Sequence, residues 1–246
     1  MSKVKISGLA NLKDALDATN LGADFLAFSF IKDSPAKVSE KMVKDILAKL
    51  PPFVTPVGIF EDEPNPTIEK ILNKTGLKAV QFNGQVGQMK CAELKEKGIK
   101  VFKFFPHPPP DISSQTDENL AQTPHPDNTA DNPDDNFSQK NSADIVGKAE
   151  IAKIADYISY VDYFIIEFSQ RVEDKEGFAK NIEKLKKIQE LGVNFFAAGI
   201  ETEKIKEILK NVSVFGFDFD VQIERKPKRK DYEKMSAAIK LSHGLK

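Results

Sequence analysis

Short runs of apolar, β-branched or aromatic residues recur along the chain, and each predicts a strand. They lie at Val4–Ile6, Phe25–Phe30, Phe53–Phe60, Ala79–Phe82, Val101–Phe105, Val161–Phe168, Val193–Ala197 and Val214–Phe219. The runs are near-continuous rather than alternating, as expected of parallel strands buried on both faces. Between them lie stretches with apolar residues at helical spacing: Lys13–Leu21, Glu40–Leu50, Pro66–Thr75, Gln88–Lys97, Glu150–Ile158, Phe178–Leu191, Glu203–Asn211 and Tyr232–Leu241. Gly22, Gly76, Gly98 and Gly192 stand where a helix must stop before the next strand. Eight successive β-then-α units argue for a closed parallel barrel or a doubly wound open sheet, and the count of eight favours an α/β (β/α)8 TIM barrel. The 246 residues suit one such domain spanning 1–246.

One segment breaks the rhythm. Residues 106–143 hold seven of the chain's 14 prolines, with many Asp, Asn, Ser and Thr residues and Phe137 as the lone aromatic. Such a composition cannot bury enough apolar surface to offset its ordering entropy. The reading is a disordered, acidic, Pro-rich insertion over 106–147, placed after strand five. There it would leave the barrel at the C-terminal face, where barrel active sites sit. It reads as a tolerated loop expansion, or else as a lid or a tail that docks a protein partner.

Charge sharpens this picture. The formal net charge is −1. From Pro106 to Asp144, however, eight acids face the single base Lys140, a net −7, so the remainder is mildly basic at +6. No apolar run approaches the ~18 residues of a membrane span, and no signal-peptide core follows the first lysines. With Cys91 as the one cysteine, no internal disulfide is possible, and a cytoplasmic location is expected. No Cys/His cluster has zinc-ligand spacing, so neither a metal nor a cofactor is expected.

The order of motifs carries a family resemblance. Lys5-Ile6-Ser7-Gly8-Leu9 looks like the Lys-Ile-Cys-Gly opening of phosphoribosylanthranilate isomerases. Asp14-Ala15, Gly22-Ala23-Asp24, Phe30, Ser34-Pro35, Val38-Ser39, Pro51-Pro52-Phe53-Val54, Val57-Gly58-Ile59-Phe60 and Gln81-Phe82-Asn83-Gly84 follow in the family's order. Beyond the insertion the match continues through Phe164-Ile165-Ile166-Glu167, Ala197-Ala198-Gly199-Ile200 and Phe217 to Asp231. The resemblance implies an aldose–ketose isomerase fold and an Amadori rearrangement that opens the ribose ring of N-(5-phosphoribosyl)anthranilate in tryptophan biosynthesis. That chemistry needs a general acid for the ring oxygen, a general base for the C2 proton, and an anion site for the phosphate.

Carried over position by position, the resemblance gives catalytic positions Ser7 and Glu167. Ser7 stands where the family has a cysteine base. A thiol titrates near about 8.5 and supplies useful thiolate at neutral pH, whereas a hydroxyl needs a neighbouring base. Glu167 stands where the family has an aspartate acid, one methylene longer. The substrate-binding positions are Asn83, Gly199, Asp220, Val221 and Gln222. Asn83 replaces a histidine, and Ala36 replaces the arginine that would meet the anthranilate carboxylate. The family's Ala-Gly-Gly reads Ala197-Ala198-Gly199, and its Asp-Val-Ser-Ser-Gly-Val-Glu reads Asp218-Phe219-Asp220-Val221-Gln222-Ile223-Glu224. Gln222 adds bulk where backbone must approach an anion, and Asp220 adds a like charge. The Gly-Gly-Thr-Gly loop expected after strand six is replaced by Gln170 to Gly177.

Two further features stand outside the resemblance. Arg225-Lys226-Pro227-Lys228-Arg229-Lys230 puts five bases in six residues, read either as a solvated connector or as an attractor of phosphate, acidic protein or nucleic acid. It lacks interleaved aromatics, which disfavours nucleic acid. Glu61, Asp62, Glu167 and Asp220 follow or end strands and would form an acidic rim. Three functions are compatible with these residues: a divergent isomerase with weak or lost activity, a non-catalytic binding or interaction protein, and an isomerase-like enzyme on another small molecule. A small-molecule ligand at the C-terminal barrel face is compatible with these readings.

Overall fold

The structure, a computed structural model, describes residues 1–106, 148–168 and 175–244. The expected insertion therefore lies outside the described residues, Pro106 excepted, as does most of the loop that follows strand six.

Eight parallel strands close into a barrel in chain order: β1 (Lys3–Ile6), β2 (Phe25–Ser29), β3 (Thr55–Phe60), β4 (Ala79–Phe82), β5 (Lys100–Phe105), β6 (Tyr163–Glu167), β7 (Phe195–Ala198) and β8 (Gly216–Phe219). The ring shuts where β8 pairs with β1, Lys5 opposite Asp218. Outside it run α1 (Leu12–Leu21), α2 (Glu40–Leu47), α3 (Asn65–Thr75), α4 (Gln88–Glu96), α5 (148–155), α6 (Lys175–Glu190), α7 (Ile205–Asn211) and α8 (Tyr232–Ser242). Among the described residues, no helix is long and apolar enough to cross a membrane.

The two-residue strand period sorts the side chains into two cores. Outward positions such as Val4, Ile6, Val80, Phe82, Phe164, Ile166, Phe217 and Phe219 pack under the helices. Inward positions Phe25, Ala27, Val57, Ile59, Ala79, Phe102, Ile165, Phe196 and Ala198 fill the barrel. Phe25 meets Phe102 and Phe196 edge-on at 5.6 and 5.5 Å, and Phe102 stacks on Tyr163 at 4.6 Å. This aromatic plug leaves the polar inward positions to the opposite, C-terminal end.

The structure departs from the sequence reading at two places. Strand three starts at Thr55, not Phe53, whose ring is 77% exposed. The two prolines before Phe53 and the turn there hold it off the sheet. The basic run is solvated over Arg225, Lys226 and Lys228, but it is folded, and its last lysine is not at the surface. Glu224–Lys226 and Arg229–Lys230 form a small antiparallel hairpin, β9 and β10. Pro227 sets its first corner, and Lys228 takes a left-handed φ of 64° at the second. The hairpin delivers Lys230 into the protein, where it is buried.

Candidate active site

The site is built from the inward positions at the C-terminal ends of the strands. On β1, Val4 and Ile6 face the helices, so Lys5 and Ser7 face the barrel. On β8, Phe217 and Phe219 face outward, so Asp218 faces inward. The three polar groups meet: Lys5 Nζ donates to Asp218 Oδ2 at 3.0 Å and to Ser7 Oγ, and Ser7 Oγ donates to Asp218 Oδ1 at 2.6 Å. Lys5 has no exposed surface, and Ser7 and Asp218 are buried. Burial pulls the Lys5 ammonium below its ordinary pKa, against the opposing pull of Asp218 and, more weakly, Asp220. The position read as a family base therefore holds a hydroxyl whose proton is committed to a carboxylate and whose lone pair is committed to an ammonium.

Beside this trio lies a second cluster. Asp220 follows β8, and its carboxylate sits over Gly8, where an added side-chain carbon would run into it. Gly8 has φ +68°, so both its conformation and its clearance call for glycine. Lys230 Nζ, from the hairpin, donates to Asp220 Oδ1 at 2.8 Å, to the Asp220 carbonyl at 3.0 Å and to Glu224 Oε1 at 3.2 Å. Gln222 turns back, and its Oε1 accepts the Asp220 backbone N–H at 3.1 Å. The lysine side chain is 1% exposed and that of Asp220 47%, so the cation is interior and the carboxylate is at the surface of the mouth. The sequence reading set Asp220 as a like charge beside an anion and left open whether the basic run attracts phosphate. The hairpin instead supplies the counter-ion.

The other positions ring the same opening. Glu167 ends β6 at inward parity with Ile165 and lies opposite Ala198 of β7. Gly199 follows with φ +73°; an added carbon there would meet the Phe168 carbonyl oxygen at 3.0 Å and the Glu167 side chain at 3.3 Å. Asn83 follows β4 and accepts from Gln81 Nε2 at 2.7 Å. Val221 is exposed, pointing away from the buried network. Ala36 offers no side-chain donor; its N–H binds Ser34 Oγ at 3.2 Å. Among the described residues, Ser29 Oγ and Gln81 Oε1 are buried polar atoms without a hydrogen-bond partner. Among the described residues, no group of three or more His, Cys, Asp or Glu side chains converges as a metal site.

Sequence reasoning missed Lys5, Asp218 and Lys230 as members of this site. The signal for the first two was present: Asp218 is the lone charge of β8 and Lys5 stands between Val4 and Ile6, each at a position whose neighbours face the helices. Nothing comparable marked Lys230, which differs from four neighbouring bases only in where the hairpin turns.

A closed (β/α)8 barrel with its polar groups gathered at the C-terminal mouth defines a protein of the TIM-barrel class. The model of the N-(5'phosphoribosyl)anthranilate (PRA) isomerase family matches residues 4–129, and the chain belongs to that family. The N-(5'-phosphoribosyl)anthranilate isomerase of Pelobacter propionicus is 40% identical over 103 residues, which cover 42% of this chain and 49%, about half, of that relative. The Geobacter metallireducens isomerase is 26% identical over 240 residues, covering 98% of both chains. In structure, the phosphoribosyl anthranilate isomerase of Thermotoga maritima superposes with a TM-score of 0.76 at 21% identity over the whole of both chains. A phosphoribosyl anthranilate isomerase in complex with reduced 1-(o-carboxyphenylamino)-1-deoxyribulose 5-phosphate gives 0.71 at 21%, again over the whole of both chains.

Proposed function

We propose that this chain is a phosphoribosylanthranilate isomerase-like protein whose active site has degenerated, so that the family's Amadori rearrangement in tryptophan biosynthesis runs weakly or not at all. The observation that carries the reading is the state of Ser7. At the base position a thiol would ionise near neutral pH. The hydroxyl there is a weaker acid, and it is already bonded to both Lys5 and Asp218. To accept a C2 proton as an alkoxide it would first have to pass its own proton to Asp218.

The remaining parts point the same way. Glu167 keeps a carboxyl for protonating the ring oxygen, but one methylene longer; a displacement of about 1 Å can cost on the order of 10²-fold. The solved complex named above holds a ligand with a carboxyphenyl group at one end and a phosphate at the other. Here Ala36 lacks a cation for the first. Positioned acid–base groups each contribute about 10²–10⁴-fold, so losing the base and weakening the acid removes on the order of 10⁴-fold.

Ser7→Cys tests this directly. Restoring the thiol alone is expected to give little rescue of turnover, because the groups that would seat the substrate stay unmade. Recovery to the rate of the Pelobacter propionicus relative would show that the serine is the sole defect and that the rest of the mouth is intact.

A further inference from the structure

The strand-eight side of the mouth carries its own anion. Five charged side chains crowd there: Lys5 against Asp218, and Lys230 against Asp220 and Glu224. Two lysines face three carboxyl groups, so the formal charge of the cluster is −1 before any ligand arrives. Two donors that could greet an incoming oxyanion are already taken. Lys230 Nζ is spent on Asp220 and Glu224, and the Asp220 N–H is spent on the Gln222 side chain. Among the described residues, Gln81 Oε1, which can only accept, and Ser29 Oγ, which can donate or accept, have no partner; both residues are more than nine-tenths buried at inward-facing strand positions. Buried oxygens left without a donor are costly and invite one.

We propose that Asp220 is a built-in surrogate for an oxyanion, and that the mouth consequently takes a neutral or cationic, hydroxyl- or amine-bearing small molecule in preference to a phosphate ester. The proposal rests on the reading of the barrel mouth as the ligand site and names the ligand chemistry that this site accepts. The buried lysine is the key element. A lysine shut off from water keeps its charge only beside a carboxylate. The chain meets that need with Asp220, whose carboxylate fills the clearance above Gly8. Removing the carboxylate would leave Lys230 short of one counter-ion next to an oxyanion-sized gap, and an external anion would then complete the cluster. Gln222 is the second closure, because its departure frees the Asp220-position N–H.

The test is calorimetric titration at low salt with inorganic phosphate and with ribose 5-phosphate, and ribose as the neutral counterpart. The proteins are the full chain, Asp220→Asn, and Asp220→Ser with Gln222→Gly. Binding heat does not depend on turnover, so failure here is separable from failure of the isomerase reading. The unmodified chain is expected to show no saturable phosphate binding and tighter binding of ribose than of ribose 5-phosphate. The double variant is expected to gain phosphate affinity by at least roughly tenfold, lost again as salt is raised, the behaviour of one exposed cation meeting an anion. Asp220→Asn keeps the shape and removes the charge, so it shows part of the gain and serves alone if the double variant fails to unfold cooperatively. Micromolar phosphate binding by the unmodified chain, unaffected by either change, would overturn the proposal. So would a folded double variant with no gain.

Discussion

Lys5 Nζ lies 3.0 Å from Asp218 Oδ2 in the interior of the barrel, the lysine without exposed surface and the aspartate side chain 7% exposed. Such a pair contributes little net stability over an apolar replacement, but losing one member strands a buried charge. Asp218→Ala is therefore expected to cost roughly 3–5 kcal/mol. Pairing it with Lys5→Met is expected to recover a large part of that loss, a non-additive coupling of neighbours. Urea unfolding of the two single variants and the double checks it. Additive losses would show that the two groups do not act as a pair.

Lys103 makes stability depend on pH. It sits on the outer face of β5 and donates to the Gly84 and Phe104 carbonyls, each at 2.9 Å. Burial pulls its pKa from 10.5 down to about 8. Between those two values the unfolded chain binds more protons than the folded one, so this group makes stability rise with pH across the window. Below pH 8 the cost of the buried charge is fully present. The rise approaches about 1.4 kcal/mol per pH unit, up to roughly 3 kcal/mol in all. Chemical unfolding of wild type and Lys103→Met at pH 7, 8.5 and 10 isolates the effect. The wild type is expected to gain on the variant as pH rises, and parallel curves would refute the assignment.

The hairpin corner stores strain at Lys228, whose φ of 64° favours glycine. Lys228→Gly is expected to stabilise by about 0.5–1 kcal/mol, a rise in Tm of about 1–4 °C at this chain length. The Lys228 carbonyl that receives Asn11 Nδ2 at 3.2 Å is retained. Lys228→Val is expected to move Tm the other way. Thermal unfolding that shows no difference between the two would place the corner under no strain.

The strands on either side of the proposed insertion pair directly, Phe102 with Tyr163 through Phe105 with Ile166. Closing a loop costs little more when it is long than when it is short. Replacing residues 107–143 with a short Gly/Ser linker is therefore expected to preserve a single cooperative thermal transition. A broad or absent transition would show that the segment contributes to the core.

Much of the fold could be read from the pattern because each strand is a short, continuous apolar run and each helix has a stripe. All eight barrel strands overlap the runs that predicted them. Phe53 misled because hydrophobicity alone does not tell a strand residue from an exposed turn residue beside two prolines. Ser7, Asn83 and Glu167 came from the resemblance, position by position; strand parity sets each of them at an inward-facing position. Asp218 could have been found from that parity, as an acid between two outward-facing phenylalanines. Lys230 could not, because its burial depends on a two-residue turn that brings a distant hairpin against Gly8. The consequence was an incomplete account of charge: Asp220, read only as a like charge to an anion, is half of an ion pair with Lys230.

The most direct test of a degenerate isomerase is steady-state turnover of N-(5'-phosphoribosyl)anthranilate by the purified full chain, beside its Glu167→Gln variant and the Pelobacter propionicus relative. The account predicts a kcat/KM lower than the relative's by about 10⁴-fold or more, the combined size of the lost base and weakened acid. Turnover comparable to the relative's, abolished by Glu167→Gln, would contradict it and make this chain a working isomerase.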